Sequence, residues 1–357
     1  MSEYNKRISH IAQSLKSADA ALVSSDISVT YLTGFEHSEG YVLIGKDVSY
    51  FLVDFRYAEA AQKLVKHMEV VVFSVVFDTI NELLSSMNAK SVAIEASAVT
   101  LSSYKSFCDK LNAQVVDSDE LSKAISELRL IKSPEEIVRL RKAQQIAEAA
   151  YTELLNDIKV GITEKEIAVR LEYLMKMKGA ERVAFDLITV TGKKTSLPHG
   201  VPGDVKVQHG DFITFDIGAV YDGYHSDMTR TIAIGSASEQ QREIYNIVLD
   251  AHLKAMAYVK AGVTGFDVDK VARDVITDAG YGKYFGHSTG HGVGLEIHEA
   301  PYAGPRSTDI LCENMTVTIE PGIYLPDRFG VRIEDTVLIT KEGSESFASI
   351  PKELIIL

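Results

Sequence analysis

The chain has 357 residues, of which 46% are hydrophobic, with a formal net charge of −13 and two cysteines. Its length and apolar content support two full cores, while the acidic balance argues against nucleic acid or an anionic membrane as partner, since phosphate binding needs clustered Lys and Arg. Cys108 and Cys312 stand far apart in no metal-type spacing, which excludes a disulfide framework and a zinc ribbon.

The opening stretch MSEYNKRISHIAQSLKS predicts a polar amphipathic helix without the apolar core of a signal sequence. No later run approaches a membrane span, so a cytoplasmic location is expected. Strands are then predicted at AALVSS, YVLIGK, YFLVDF and SVAIEA, and helices at YAEAAQKLVKH, FDTINELLSSM and LSSYKSFCDKL. This alternation points to a layered α/β domain over residues 1–128. A second domain, 129–357, is expected to begin within Leu128–Ser133. There Ser133 reads as an N-cap, followed by a first-turn proline, Pro134, and the first-turn acids Glu135 and Glu136. The helix after it carries Ile137, Leu140, Ala143, Ile146 and Ala150 at helical spacing. A further helix follows Thr163-Glu164-Lys165-Glu166 and runs to Gly179. From about Phe185 strands dominate, with helices again at EQQREIYNIVLDAHLKAMAYV and VDKVARDVITDAG, so this domain reads as α+β.

Five residues of that second domain form one candidate ligand set: Asp216, Asp227, His291, Glu320 and Glu334. FITFDIGAVY and GYHSDMTRTIAIG are strand-like runs, and Asp222-Gly223 between them is a strong two-residue hairpin signal. With those two residues in the turn, Tyr221 faces Tyr224, Val220 faces His225, and Gly218 faces Asp227. Asp216 and Asp227 become diagonal neighbours on one face, roughly 7–8 Å apart at the backbone. Gly218 is expected to leave room for an ion. Glu320 ends the apolar run Met315–Ile319 before Pro321-Gly322, and alternation puts Arg332 and Glu334 on one face. His291 lies between Gly290 and Gly292, where the backbone is expected to approach an ion closely. GHGVG is weak as a dinucleotide loop, because no acidic residue follows at the expected strand end.

Either aspartate alone reads as an ordinary strand acid facing solvent; the set carries the inference. Four carboxylates at contact distance cannot all stay ionised without cations. Two divalent metals balance four negative charges, and a metal pair can make a hydroxide nucleophile at neutral pH. The sequence therefore reads as a two-metal hydrolase. Arg332, beside a metal carboxylate, is either its electrostatic support or an anchor for a substrate carboxylate. His225 shares a face with Asp227 in the hairpin, and its part in the site is left open. His10, His37, His67, His209 and His252 read as structural or surface residues.

These phrases resemble the pita-bread metallopeptidases (methionine aminopeptidase, aminopeptidase P and prolidase) over the whole chain, most specifically over residues 185–340. The phrases YLTGFEHSEGYVLI and VDFRYAEAA resemble the N-terminal domain of creatinase and the prolidases. The resemblance implies an α/β creatinase-like N-terminal domain plus an α+β pita-bread catalytic domain. It implies two metals on the five residues, with Asp227 and Glu334 bridging. His199 in SLPHG and His298 in EIHEAP resemble substrate-pocket histidines. His287 in GHSTGHG and Arg332 in VRIED resemble the aminopeptidase P and prolidase branch.

The expected activity is hydrolysis of the Xaa-Pro bond at the N-terminus of small proline-containing peptides, as a dipeptidase or an aminopeptidase P, by a metal-bridging hydroxide. In that scheme Glu320 is the general base, His298 and His199 hydrogen-bond the oxyanion, and Arg332 with His287 receives the proline side. The resemblance favours manganese or cobalt, and the donor set also suits iron and zinc. It implies a homodimer. The alternatives are a metal-dependent lyase or non-peptidase hydrolase on the same scaffold, and a non-catalytic pita-bread binding protein, a class that usually loses ligands. Two departures from the resemblance stand out. Glu36-His37-Ser38-Glu39 replaces a usual Gly/Ser-rich piece. Ile188–Thr195 replaces an Ala-Ser-Gly core, with Thr191 expected to keep the serine's hydroxyl and Lys193-Lys194 expected to form a solvated loop.

Overall fold

The computed structural model describes residues 2–36 and 39–357. His37 and Ser38 of the departing Glu36–Glu39 stretch lie outside the described residues. The chain divides into two compact units, Met1–Arg129 and Leu130–Leu357.

The first unit is α/β. Its elements are α1 (Glu3–Ser14), β1 (Ala20–Val23), α2 (Asp26–Thr33), β2 (Tyr41–Ile44), β3 (Ser49–Val53), α3 (Ala58–Leu64), β4 (Glu69–Val72), α4 (Val76–Ser86), β5 (Ser91–Ile94), α5 (Leu101–Lys110), β6 (Gln114–Val116) and α6 (Glu120–Leu130). The six strands form one sheet in the order β4-β3-β2-β1-β5-β6. The β1–β2 and β2–β3 pairs are antiparallel, the others parallel. Leu22, Leu43, Leu52, Val92 and Ile94 of the sheet pack with Ile80, Leu84 and Phe107 of α4 and α5. Four elements were not predicted from the sequence: α2, β4, β6 and α6, the last running up to the expected domain boundary. The edge strands β4 and β6 are short and only half-buried, so they show no alternation. α2 buries five of its eight residues and has no polar stripe to betray its period.

The second unit is α+β. It opens with α7 (Pro134–Leu154) and α8 (Glu164–Met177). Both begin with reciprocal capping boxes, Ser133 with Glu136 and Thr163 with Glu166, which satisfy orphan N–H groups at the helix starts. Then come β7 (Arg182–Val183), β8 (Ile188–Thr191), β9 (Phe212–Ile217), β10 (Ala219–Tyr221), β11 (Tyr224–His225) and β12 (Met228–Ala233). α9 (Glu239–Tyr258) and α10 (Gly265–Asp278) precede β13 (Gly290–Gly292), β14 (Glu299–Ala303), β15 (Thr316–Ile319), β16 (Gly322–Leu325), β17 (Phe329–Arg332), β18 (Glu334–Ile339) and β19 (Ser344–Ser346). The main sheet is antiparallel, in the order β15-β18-β12-β9-β8.

Two apolar cores hold this sheet. α7 and α8 contribute Ile146, Tyr151 and Leu171 against Phe215, Ile217 and Met228. α9 and α10 contribute Ile244, Val248 and Ala272 against Val317, Val331 and Val337. Each large apolar side chain fully buried here stabilises the fold by about 1.5–3 kcal/mol. The cores take one face of each strand, and alternation sends the intervening residues of β9, β12 and β18 toward the site.

Candidate metal centre

The hairpin turns at Asp222 and Gly223, whose φ values of 49° and 76° are those of a type I′ turn. Tyr221 pairs with Tyr224 and Val220 with His225. The same register continues in the longer strands, where Met228 pairs with Ile217 and Thr229 with Asp216. Gly218 therefore stands opposite Asp227, but it does not make room for an ion. A side chain there would meet the Ser226 carbonyl at 2.0 Å, with Ala184 and Phe185 beyond. Gly218 is demanded by close backbone packing.

Register then builds a row of ligand candidates across the sheet. Asp216 on β9 is opposite Thr229 on β12, and Thr229 is opposite Glu334 on β18. On the far side Ile319 pairs with Asp335, so the next residue, Glu320, comes level with Glu334. Asp227 lies two residues before Thr229 and so shares its face. His291 reaches the row from β13, whose backbone N–H donates to Thr318 Oγ1 at 3.1 Å. Glycine is again a packing requirement. A side chain at Gly290 would sit 1.7 Å from the Thr318 carbonyl and one at Gly292 2.3 Å from the Ala300 carbonyl. The glycines flanking His291 let strands approach one another, which corrects the expectation that they bring backbone close to an ion.

All nine residues singled out from the sequence line one cavity of about 760 Å³: the five ligand candidates together with His199, His287, His298 and Arg332. Ligand atoms of Asp227, His291 and Glu334 lie within 4.8 Å of one another. His291 Nε2 is 3.5 Å from Asp227 Oδ2 and 3.4 Å from Glu320 Oε1. Its Nδ1 contacts the Gly292 carbonyl at 3.0 Å. An Nδ1–H donated there leaves the Nε2 lone pair facing the carboxylates, the tautomer a metal ligand needs. Burial lowers the His291 pKa to about 4, so the ring is neutral.

The carboxylates carry the opposite perturbation. Burial first, then the other acids, raise Asp227 and Glu334 well above the usual carboxylate range. Burial lifts Glu320 to about 8, although Arg332 opposes the shift. Asp216 Oδ1 is buried with no hydrogen-bond partner among the described residues, while its Oδ2 accepts from Arg332 at 2.5 Å. Convergent acids, a neutral imidazole and an orphaned carboxylate oxygen fit divalent cations: they supply the missing charge and accept the unused lone pairs. Asp216, Asp227, His291, Glu320 and Glu334 are the residues that would hold them.

Polar neighbours that escaped the sequence reading orient this set. Thr229 Oγ1 donates to Glu334 Oε2 at 2.6 Å and accepts from Arg332 Nε at 3.0 Å. Thr318 Oγ1 donates to Glu320 Oε1 at 3.2 Å while accepting from the His291 N–H. The Tyr324 hydroxyl lies 2.9 Å from both Arg332 and His287 Nε2. A legible signal existed: Thr229 and Thr318 each sit two residues from a ligand candidate, hence on its face of the strand.

Other expectations change. His225 does not line the cavity; both its N–H and its ring contact the Gly294 carbonyl, and burial lowers its pKa to about 4. Thr191 is buried against Asp211 and the Phe212 carbonyl, so it has no place in the pocket wall. Lys194 is only partly solvated: its Nζ pairs with the fully buried Glu164 at 2.5 Å and donates to the Val201 carbonyl at 2.6 Å. Glu164 also accepts from the Gly203 N–H, so the pair ties down the loop carrying His199.

Residues 138–341 match the model of metallopeptidase family M24, and residues 7–131 match the creatinase/prolidase N-terminal domain. The chain belongs to metallopeptidase family M24. An Xaa-Pro dipeptidase of Pyrococcus furiosus is 41% identical over 341 residues, covering 95% of this chain and 96% of the relative. A solved Xaa-Pro dipeptidase from Bacillus anthracis superposes with a TM-score of 0.96 at 42% identity, over 99% of this chain and 100% of its own. The X-Pro aminopeptidase of Thermotoga maritima gives 0.90 at 36% identity, over 97% and 99%. The fold of this M24 member is thus a creatinase-type N-terminal domain followed by a pita-bread catalytic domain, as the resemblance implied.

Proposed function

We propose that this M24 enzyme is a dinuclear-metal hydrolase of the N-terminal Xaa-Pro bond of small peptides. The observation that carries the reading is the row of buried acids. Four carboxylates and one neutral imidazole share a cavity with three further histidines, within a family whose similar members are named as Xaa-Pro dipeptidases and an X-Pro aminopeptidase. When bound, divalent cations lower the pKa of water and polarise a carbonyl.

The remaining chemistry belongs to the chain's own side chains. Glu320 lines the cavity beside His291 and would serve as the general base that takes the attacking water's proton and delivers it to the departing proline nitrogen. His199 and His298 border the cavity, positioned to donate to the carbonyl oxygen as it gains charge. Arg332 gives Nε to Thr229, one terminal nitrogen to Tyr324 and the Pro198 carbonyl, and the other to Asp216. Of its two open roles, support of the Asp216 carboxylate is the better supported. His287, with both ring nitrogens engaged, offers its ring to the proline side.

Manganese is the proposed metal, because one nitrogen and four oxygen donors suit it. A homodimer and a cytoplasmic location complete the proposal; among the described residues no helix is long and apolar enough to cross a membrane. The lyase, non-peptidase hydrolase and binding-protein alternatives are not favoured by the relatives' names. The test is a manganese-reconstituted assay of Ala-Pro, Ala-Pro-Ala and Ala-Ala-Ala with products identified by mass. Cleavage confined to the proline peptides is expected. No cleavage at two bound metals per chain would sink the peptidase reading. Asp227→Ala should abolish metal occupancy together with activity, and a fully active variant would refute the ligand set.

A further inference from the structure

The boundary segment before α7 carries a lysine that neither the helix cap nor the cavity uses. Lys132 is buried, and its Nζ lies 2.7 Å from Oε1 of Glu299, the residue after His298. Neither partner lines the cavity. Taking two charges out of water costs about as much as their attraction returns, so stability alone is a weak reason for such a pair. Its place in the fold supplies a better one. Glu299 pairs with Gly292 across the β13–β14 ribbon, whose register shifts between His291 and Gly292. Its carboxylate lies against Gly294, where a side chain would meet Oε1 at 2.3 Å. The ion pair is thus seated in the bend that carries both His291 and His298.

The same turn of α7 holds the hairpin of Asp227. Glu136 Oε2 accepts from the Ser133 N–H at 2.9 Å, while its Oε1 accepts from the Tyr224 hydroxyl at 2.8 Å. The next residue, His225, donates its N–H to the Gly294 carbonyl at 2.8 Å. Val293, Leu295 and Ile297 of the bend pack in one apolar cluster with Leu140 and Tyr224. The start of α7 therefore grips the hairpin through Glu136 and the histidine ribbon through Lys132, whose own N–H is tied to the Asn314 carbonyl at 2.8 Å. His298 depends on that grip. Among the described residues no hydrogen bond holds its ring, which meets the His291 ring edge-on with centroids 4.3 Å apart.

We propose that Lys132 is a positioning residue of the reaction: paired with Glu299, it fixes the backbone from which His298 reaches the cavity. The inference rests on the reading of His298 as a donor to the developing oxyanion. Such a donor acts in the transition state, so displacing it lowers kcat and leaves KM nearly unchanged.

The test uses the manganese-loaded full chain on whichever of Ala-Pro and Ala-Pro-Ala the parent cleaves faster, with kcat counted per metal-loaded chain. Lys132→Met should lower kcat roughly tenfold or more, with KM within about twofold and manganese stoichiometry unchanged. It also strands the Glu299 carboxylate, so the urea midpoint should fall. Adding Glu299→Gln removes that charge and should return most of the midpoint while kcat stays low. Recovery of kcat together with the midpoint would overturn the proposal, because the pair would then serve stability only. So would a Lys132→Met variant with parental kcat, or one altered in KM alone. His298→Ala should cost about a hundredfold in kcat, and Lys132→Met added to it should cost little more, since both act on one group. Additive losses would show that Lys132 does not act through His298. A His298→Ala variant with parental kcat would sink the oxyanion reading itself, an outcome distinct from the others.

Discussion

Replacing Thr229 by valine tests whether the residues behind the row tune the metal site. Thr229 is fully buried, and its hydroxyl is held between Arg332 Nε at 3.0 Å and Glu334 Oε2 at 2.6 Å. Valine keeps the shape and removes both hydrogen bonds. In the metal-free protein burial and the neighbouring acids raise the Glu334 pKa and so favour its neutral form, to which the lost bond is an ordinary one, worth about 0.5–1.5 kcal/mol. With metal bound Glu334 must be ionised, and the same bond is worth about 1.5–3 kcal/mol. The difference, about 1–2 kcal/mol, weakens metal binding roughly five- to thirtyfold, near the lower part of the roughly 10–100-fold range for outer-shell partners. Arg332 loses an acceptor in both states, so that part cancels from the affinity. It surfaces instead as about 1–3 kcal/mol of lost stability in the metal-free protein. Manganese titration of the metal-free variant by calorimetry, with urea denaturation alongside, reads the two effects separately. Thr229→Ser should return the affinity to near the parent value. A valine variant that binds manganese within twofold of the parent would refute the assigned role.

Three further outcomes follow from the same geometry. Asp227, Glu320 and Glu334 have folded-state pKa values above their unfolded ones, so the metal-free folded state holds more protons than the unfolded chain. Its stability should be fullest below about pH 4.5 for these groups and should fall as pH rises through about 8 for Glu320; thermal melts at stepped pH should show this decline with chelator and little of it with manganese, and a pH-flat metal-free melt would contradict it. Lys194→Met strands a fully buried Glu164 and should cost about 3 kcal/mol, the low end for a broken buried pair because the lysine is partly open to solvent. KM should rise while metal stoichiometry stays intact, and Glu164→Gln added to it should recover most of the urea midpoint. Gly290→Ala places a methyl group 1.7 Å from the Thr318 carbonyl, backbone that cannot yield cheaply; a loss of about 3 kcal/mol or more is expected in urea unfolding, and a parent-like midpoint would show that β13 and β15 are not that close.

The hairpin and the placement of its ligand candidates were legible because strand periodicity and a two-residue Asp-Gly turn leave little freedom. Once Tyr221 faces Tyr224, the partner of every residue back to Asp216 follows. The helices of the second unit were legible through their caps, with Ser133 and Thr163 each followed three residues later by a glutamate. What stayed hidden was long-range. That Lys194 would find Glu164 on a helix thirty positions earlier depends on how the loop packs, and a Lys-Lys pair in isolation reads as solvated surface. The glycines misled for a related reason. Gly218, Gly290 and Gly292 announce close approach, but the sequence does not say to what, and in each case it is a backbone carbonyl of a neighbouring segment.

The row of acids also explains why fold and metal must be coupled in this chain. Asp216, Glu334 and Glu320 come level because β9, β12, β18 and β15 pair in one register, and that register is imposed by the apolar residues on the opposite face of each strand. A slip of one residue in β18 would turn Glu334 to the opposite face and put Ile333 or Asp335 in its place opposite Thr229. The apolar face therefore specifies the site. The site opposes the fold until its charges are met, since burial and mutual repulsion raise the pKa of Asp227 and Glu334 and penalise their ionised forms. Cations relieve that opposition at the one place the packing cannot, so metal binding should displace protons and stabilise the second unit in the same step.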